Sequence, residues 1–128
     1  MLLKKIIVLL ALASLLGFPT KDSAEELVIV PTLDQQLEQV FGDKAPLMKA
    51  IAQAESNLEE DQVSHNRRDG GSTWSVDCGV LQINVRGNHC PDHLLTVEGN
   101  LKQAKQILDE QGLRAWVVYK TGAYKKYL

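Results

Sequence analysis

Apolar residues recur at helical spacing over three stretches of the chain, residues 33–41, 44–57 and 97–110. Thr32 and Gln35 form a capping box in front of the first stretch, because each side chain can accept from the backbone N–H of the other residue. The pattern therefore predicts three main helices. A shorter helical stretch is expected after the third.

The second predicted helix, which Asp43 is expected to cap, carries a carboxyl group on its buried side. Four apolar positions mark its expected buried face: Leu47, Ile51, Ala54 and Leu58. At about 100° per residue, Glu55 lies about 40° from Ile51 around the helix axis. A carboxyl group there is partly desolvated, which raises its pKa toward the value that a general acid needs at neutral pH.

The middle of the chain has a different pattern. Residues 59–77 show little apolar periodicity, and the turn-forming residues within residues 66–73 predict a loop there. After Gly79, apolar and polar residues alternate over residues 80–85, which predicts a short extended segment. Its polar face would present the amides of Gln82 and Asn84. The fold class expected is a mainly α (α+β) compact helical domain, with a loop or small β region flanking a cleft.

The N-terminus has the form of a secretory signal, with Lys4 and Lys5 followed by the apolar run Ile6–Leu16. That run is shorter than the roughly 20 residues that a membrane span needs. Residues 1–24 are predicted to be a signal peptide, or a retained N-terminal anchor that would be the only membrane contact. Residues 25–31 are then a linker, and one domain spans residues 32–128. The domain is expected to be exported to the periplasm, the cell wall or the extracellular space.

Charge and cysteine content narrow the class of protein. The net charge is −2, and loss of residues 1–24, with three lysines and one aspartate, makes it −4, which argues against nucleic-acid binding. Cys78 and Cys90 in an exported chain predict a disulfide worth on the order of 3 kcal/mol, with two free thiols as the alternative. The histidines lack a ligand spacing, so no metal site or cofactor is expected.

Two carboxyl groups in different settings, Glu55 and Asp77, suggest cleavage of a glycosidic bond. Trp74 lies between them in the sequence and could stack on a sugar ring. Simpler roles stay open, since Glu55 could form an ion pair at a helix end. Asp77 could cap a turn or pair with Arg67 or Arg68.

Four segments, in order, resemble the motifs of the soluble lytic transglycosylase (SLT) catalytic domain of the lysozyme-like superfamily. These segments are Ala50–Asn57, Gly79–Ile83, Asn100–Leu101 and Trp116–Gly122. The resemblance spans residues 33–128, although Val118 and Lys120 stand where the closing motif has Ala and Asn.

The resemblance implies an enzyme that cleaves peptidoglycan between N-acetylmuramic acid and N-acetylglucosamine. Glu55 would be the general acid and base of a lytic transglycosylase that forms 1,6-anhydro-muramic ends. Substrate contacts would come from Ser56, Gln82, Asn84, Tyr119 and Trp74. The Tyr119 hydroxyl is expected near Glu55.

Residues 77–84 also resemble the segment in which c-type lysozymes carry their second carboxylate, and a form found in transglycosylases of conjugation and secretion machinery. Two alternatives therefore remain. One is a lysozyme-type hydrolase that uses Glu55 and Asp77. The other is a non-catalytic protein that binds peptidoglycan or belongs to a secretion or conjugation apparatus. The chain is expected to act as a monomer on glycan strands.

Overall fold

The computed structural model describes residues 25–128. Residues 25–30 have no regular secondary structure, and residues 31–128 form a separate compact unit. The predicted signal peptide or anchor lies outside the described residues and stays a prediction, as do the boundaries of the linker and the domain. Within the described part of the chain, no helix is long and apolar enough to cross a membrane.

The predicted helices are confirmed with small changes at their ends. Over residues 25–128 the α-helices are α1 (Leu33–Phe41), α2 (Ala45–Ser56), α3 (Val97–Gln111) and α4 (Val117–Thr121). Short 3-10 segments occupy Gly42–Lys44, Asp92–Leu95, Leu113–Ala115 and Ala123–Tyr127. The capping box is confirmed, since the backbone N–H groups of Gln35 and Thr32 donate to each other's side chains at 3.2 and 2.8 Å. The cap predicted at Asp43 is wrong, because Asp43 lies in a 3-10 turn and Lys44 precedes α2 without a side-chain cap.

Helix α2 buries a face rotated from the predicted one. Leu47 and Ala54 are only half-buried, as is Leu58 beyond the helix. The buried side chains of α2 are Ala45, Met48, Ala50, Ile51, Ala52 and Ser56. Ser56 is buried near the C-terminal end of α2, where its hydroxyl bonds to the carbonyl of Val80.

The middle of the chain folds into a three-stranded antiparallel sheet, in the order β1 (Val63–Arg67), β2 (Thr73–Cys78) and β3 (Ile83–Arg86). The loop predicted over residues 66–73 is confirmed at residues 68–72, whereas its ends belong to β1 and β2. Strand β1 is an edge strand whose side chains are half-buried or exposed, so it shows no apolar alternation. Asp69 and Gly70 in the turn to β2 both have positive φ, 45° and 70°, as in an Asp-Gly hairpin turn.

A tight turn, Gly79–Gln82, joins β2 to β3 and is hydrogen-bonded to the helical part of the molecule. The Val80 carbonyl accepts a hydrogen bond of 2.7 Å from the Ser56 hydroxyl at the end of α2. The Leu81 carbonyl accepts one of 3.0 Å from the indole N–H of Trp116. The turn therefore fixes the end of α2 and the C-terminal region relative to the sheet.

Asn100, fully buried on α3, holds the same turn. Its Oδ1 accepts from the Leu81 N–H at 3.0 Å, and its Nδ2 donates to the carbonyls of Cys78 and Leu94 at 2.8 Å each. Gly79 is required beside it, because its φ is +73° and a Cβ would lie 2.1 Å from the Leu94 oxygen.

The hydrophobic core is built from the helices and the sheet together. Its largest fully buried apolar side chains are Leu37, Met48, Ile51, Val76, Val80, Leu81 and Leu101. Trp116 also belongs to this core, with 5% of its surface exposed. The predicted fold class, a mainly helical α+β domain with a small β region, is confirmed.

Candidate active site

A cleft of about 570 Å³ lies between the sheet and the helices. Its sheet wall consists of Asn66, Trp74, Ser75, Asp77 and Asn84. Its helical wall consists of Glu55, Ile107, Gln111, Ala115, Trp116 and Val117. Gln82 and Ile83 complete the lining. The two carboxyl groups singled out in the sequence therefore lie in one cleft, on different walls.

Glu55 is half-buried one residue before the end of α2. Its pKa is raised from 4.5 to about 7, mainly because burial desolvates the carboxyl group and secondly because Asp77 carries a negative charge nearby. A backbone hydrogen bond from Val118 acts in the opposite direction but is weaker than both. Glu55 can therefore donate a proton near neutral pH and take one back, as a general acid and base must.

Asp77 is held by amide groups from both neighbouring strands. Asn66 on β1 donates from Nδ2 to Asp77 Oδ2 at 3.0 Å, and Asn84 on β3 donates to Oδ1 at 2.8 Å. Both amides also donate to the hydroxyl of Ser75, each at 3.1 Å. The antiparallel register creates this network, because Asn66 lies opposite Ser75 and Asn84 lies opposite Asp77. The carboxylate of Asp77 is thus fixed in orientation.

Trp74 lies at the rim of the sheet wall, with 40% of its surface exposed. The guanidinium carbon of Arg68 lies 4.5 Å from the centroid of its ring. The idea that Arg68 or Arg67 pairs with Asp77 is wrong, since the ion pairs within residues 25–128 are Lys49–Asp34 and Lys105–Asp109.

Ser56 and Gln82 organise the cleft through bonds within the protein. The Ser56 hydroxyl shares its one proton between the carbonyls of Val80 and Ala52, at 2.7 and 3.2 Å. The Gln82 amide accepts from the Ser64 hydroxyl at 2.7 Å and donates to two backbone carbonyls at 2.9 and 3.1 Å. Gln82 lines the cleft, yet these bonds occupy most of its capacity, so its role there is chiefly to shape the turn.

Tyr119 is not among the residues that line the cleft. Its ring stacks on that of Tyr124, with 5.1 Å between the centroids, and both pack against the core. Helix α4 contributes to the cleft through Val117 instead, and Val118 reaches Glu55 through its backbone. Val118 and Lys120, the two departures from the closing motif, thus lie in the helix that bonds to the Glu55 carboxyl group through the backbone of Val118.

The predicted disulfide between Cys78 and Cys90 is confirmed, with a Cα–Cα distance of 5.8 Å. Cys78 follows Asp77 directly and is fully buried, so the bond restrains the end of β2 next to the cleft. Over residues 25–128, no group of three or more His, Cys, Asp or Glu side chains is arranged to hold a metal ion.

Asn66 and Ser75 are site residues that the sequence pattern did not reveal. Their importance depends on which residues face each other across β1 and β2, and the loop expected there concealed that pairing. The Asp69–Gly70 dipeptide was the available signal, since Asp-Gly between two extended segments is typical of a hairpin.

Comparisons with known proteins give limited matches. No family model matches the chain, and no solved structure matches it. A relative from Escherichia coli O157:H7, named peptidoglycan-binding-like protein, is 40% identical over 70 residues. A relative from Escherichia coli strain K12, whose name also describes it as peptidoglycan-binding-like, is 37% identical over 70 residues. The match covers 55% of this chain but only 40% and 42% of the relatives, so the chain spans less than half of their length.

Proposed function

We propose that this protein associates with peptidoglycan and binds its glycan strands in the cleft. The names of the two relatives support the association. The lining supports the glycan, because a sugar chain has hydroxyls that match the amides of the sheet wall and apolar ring faces that match Trp74, Ile107 and Val117. The site of action would be the cell wall or the periplasm.

We further propose that the protein cleaves the β-1,4 bond between N-acetylmuramic acid and N-acetylglucosamine, with Glu55 as general acid and base. The observation that carries this proposal is the half-buried carboxyl group whose pKa is raised to about 7 inside the cleft. A carboxylic acid that keeps its proton near neutral pH is what protonation of a glycosidic oxygen requires.

The leading route is that of a lytic transglycosylase. The Glu55 hydroxyl gives its proton to the glycosidic oxygen as the bond from that oxygen to the anomeric carbon breaks. The acetamido group of the substrate stabilises the cationic intermediate. The Glu55 carboxylate then takes the proton of the muramic 6-hydroxyl, whose oxygen bonds to the anomeric carbon and forms the 1,6-anhydro ring. No water is consumed, and Glu55 ends protonated as it began.

Hydrolysis is the second candidate, and the position of Asp77 favours it. Asp77 lies in the same cleft, near enough for its charge to raise the pKa of Glu55, and Asn66 and Asn84 fix its orientation. It would stabilise the glycosyl cation while a water molecule, activated by Glu55, completes the reaction. A third candidate is binding without cleavage, which the names of the relatives favour.

Digestion of purified peptidoglycan, followed by mass spectrometry of the fragments, separates the three candidates. Transglycosylation gives anhydro-muramic ends, hydrolysis gives reducing ends heavier by one water, and binding alone gives no fragments. Glu55→Gln is expected to lower the cleavage rate about 10²- to 10⁴-fold while glycan binding persists. Glu60→Gln, an exposed change of the same kind, is the control and should leave the rate unchanged. Unaltered cleavage by Glu55→Gln would refute the assignment of Glu55.

A further inference from the structure

The rim of the sheet wall combines an aromatic ring with a cation. Trp74 is aimed into the cleft by an irregularity in the sheet, because the register passes from Asn66 opposite Ser75 to Arg67 opposite Thr73 and leaves Trp74 without a partner. Such a bulge re-aims a side chain relative to simple alternation, which explains how Trp74 and Ser75 both line the cleft.

Arg68 follows β1 directly and lies over the Trp74 ring, with 4.5 Å between its guanidinium carbon and the ring centroid. Neither ion pair within residues 25–128 involves Arg68, so its guanidinium has no carboxylate partner there. Stacking on the ring restrains the guanidinium while its N–H groups remain available at the edge. The rim therefore presents a positively charged hydrogen-bond donor, held in one orientation, beside an exposed aromatic ring.

We propose that Arg68 and Trp74 form a subsite for a muramoyl unit, in which Trp74 packs on the sugar ring and Arg68 binds a carboxylate that the unit carries. This inference rests on the proposed function, since it names which feature of the glycan the same cleft selects. The carboxylate could belong to the lactyl group of a peptide-free strand or to the stem peptide. In both cases the positive charge discriminates against a neutral polymer of N-acetylglucosamine.

The test measures binding by calorimetry in a Glu55→Gln background, so that the ligands are not cleaved. The three ligands are a peptide-bearing glycan fragment, an amidase-treated fragment whose lactyl carboxylates are free, and a neutral chitooligosaccharide of equal length. Arg68→Gln is expected to weaken binding of a carboxylate-bearing fragment roughly fivefold and to leave the chitooligosaccharide within about twofold. The loss should shrink at high salt. Trp74→Ala should weaken all three ligands.

Arg67→Gln is the matched control, because it removes the same charge from a neighbouring exposed residue that does not stack on Trp74. A loss for the amidase-treated fragment alone would identify the lactyl carboxylate, and a loss for the peptide-bearing fragment alone would identify the stem peptide. Equal losses for Arg67→Gln and Arg68→Gln, or an equal loss on the neutral ligand, would overturn the subsite while leaving the proposed function intact. Failure of all three ligands to bind would overturn the subsite and the proposed function together.

Discussion

The two walls of the cleft hold their carboxyl groups by different physical means. On the helical wall, burial is the main cause of the raised pKa of Glu55, which is about 7. On the sheet wall, Asp77 is controlled by hydrogen bonds from Asn66 and Asn84, at 3.0 and 2.8 Å. Burial sets a protonation state, whereas paired donors set an orientation. The cleft thus separates a proton donor from an oriented negative charge.

The walls also depend on each other. The charge of Asp77 contributes to the raised pKa of Glu55, so a charge on one wall affects the protonation of the other. Their spacing is set by the turn Gly79–Gln82, to which Ser56, Asn100 and Trp116 all bond. Changes at the turn should therefore affect both walls, and changes at either carboxyl group should affect mainly one.

The largest effect is expected from Asn100→Ala, which breaks the connection between the walls. The change removes hydrogen bonds to Leu81, Cys78 and Leu94, all in buried surroundings. The free energy of unfolding should fall by about 3 kcal/mol or more, measured by chemical denaturation. Asn88→Ala, in an exposed loop position, is the control and should change stability by less than about 0.5 kcal/mol. A comparable loss in both variants would show that the turn does not join the walls.

Asp77→Asn tests whether the sheet wall acts on Glu55 through charge. The change removes the negative charge of Asp77 and keeps the size and shape of the side chain. The proposed cleavage requires protonated Glu55, so its rate should fall as the pH rises through about 7. Without the negative charge of Asp77, the pKa of Glu55 drops and this fall moves to lower pH. The check is the pH profile of kcat/KM on a peptidoglycan fragment, with Asp61→Asn as the exposed control. An unmoved profile would contradict electrostatic coupling between the walls, and a uniform loss of rate would add a direct role for Asp77.

A smaller effect concerns stability. Glu55 has a pKa of 4.5 before burial and about 7 in the folded protein, so folding takes up a proton between these values. The stability associated with this group is fully present below about pH 4.5 and is lost as the pH rises through about 7. The difference in Tm between Glu55→Gln and the wild type should therefore be more favourable to the variant at about pH 8 than at about pH 4. Thermal unfolding at the two pH values measures this gain, and Glu60→Gln should show none.

The helices that form one wall were largely predictable from the sequence, whereas the strand pairing that forms the other wall was not. Local signals define the helices, such as the Thr32–Gln35 capping box and the stop at Gly112, and they act within a few residues. The partly buried position of Glu55 followed from its small angular separation from Ile51 around the helix axis. This holds even though the buried face of α2 is rotated from the predicted one.

The network around Asp77 depends on residues that are distant in sequence. Asn66, Ser75 and Asn84 come together only through the register of three strands, and β1 has no apolar alternation to announce it. The same holds for the bulge that aims Trp74 into the cleft. Gln82 belongs to a sequence motif, but only the fold shows that its amide is used to shape a turn.

The most direct test of the proposed chemistry is the pKa of Glu55 itself. The carboxyl carbon of Glu55 can be followed by NMR during a pH titration, and Glu55→Gln identifies its signal by the loss of that resonance. Burial and the charge of Asp77 predict a midpoint of about 7. A midpoint near 4.5, the ordinary value for this group, would mean that the cleft does not keep Glu55 protonated and would contradict its role as the general acid.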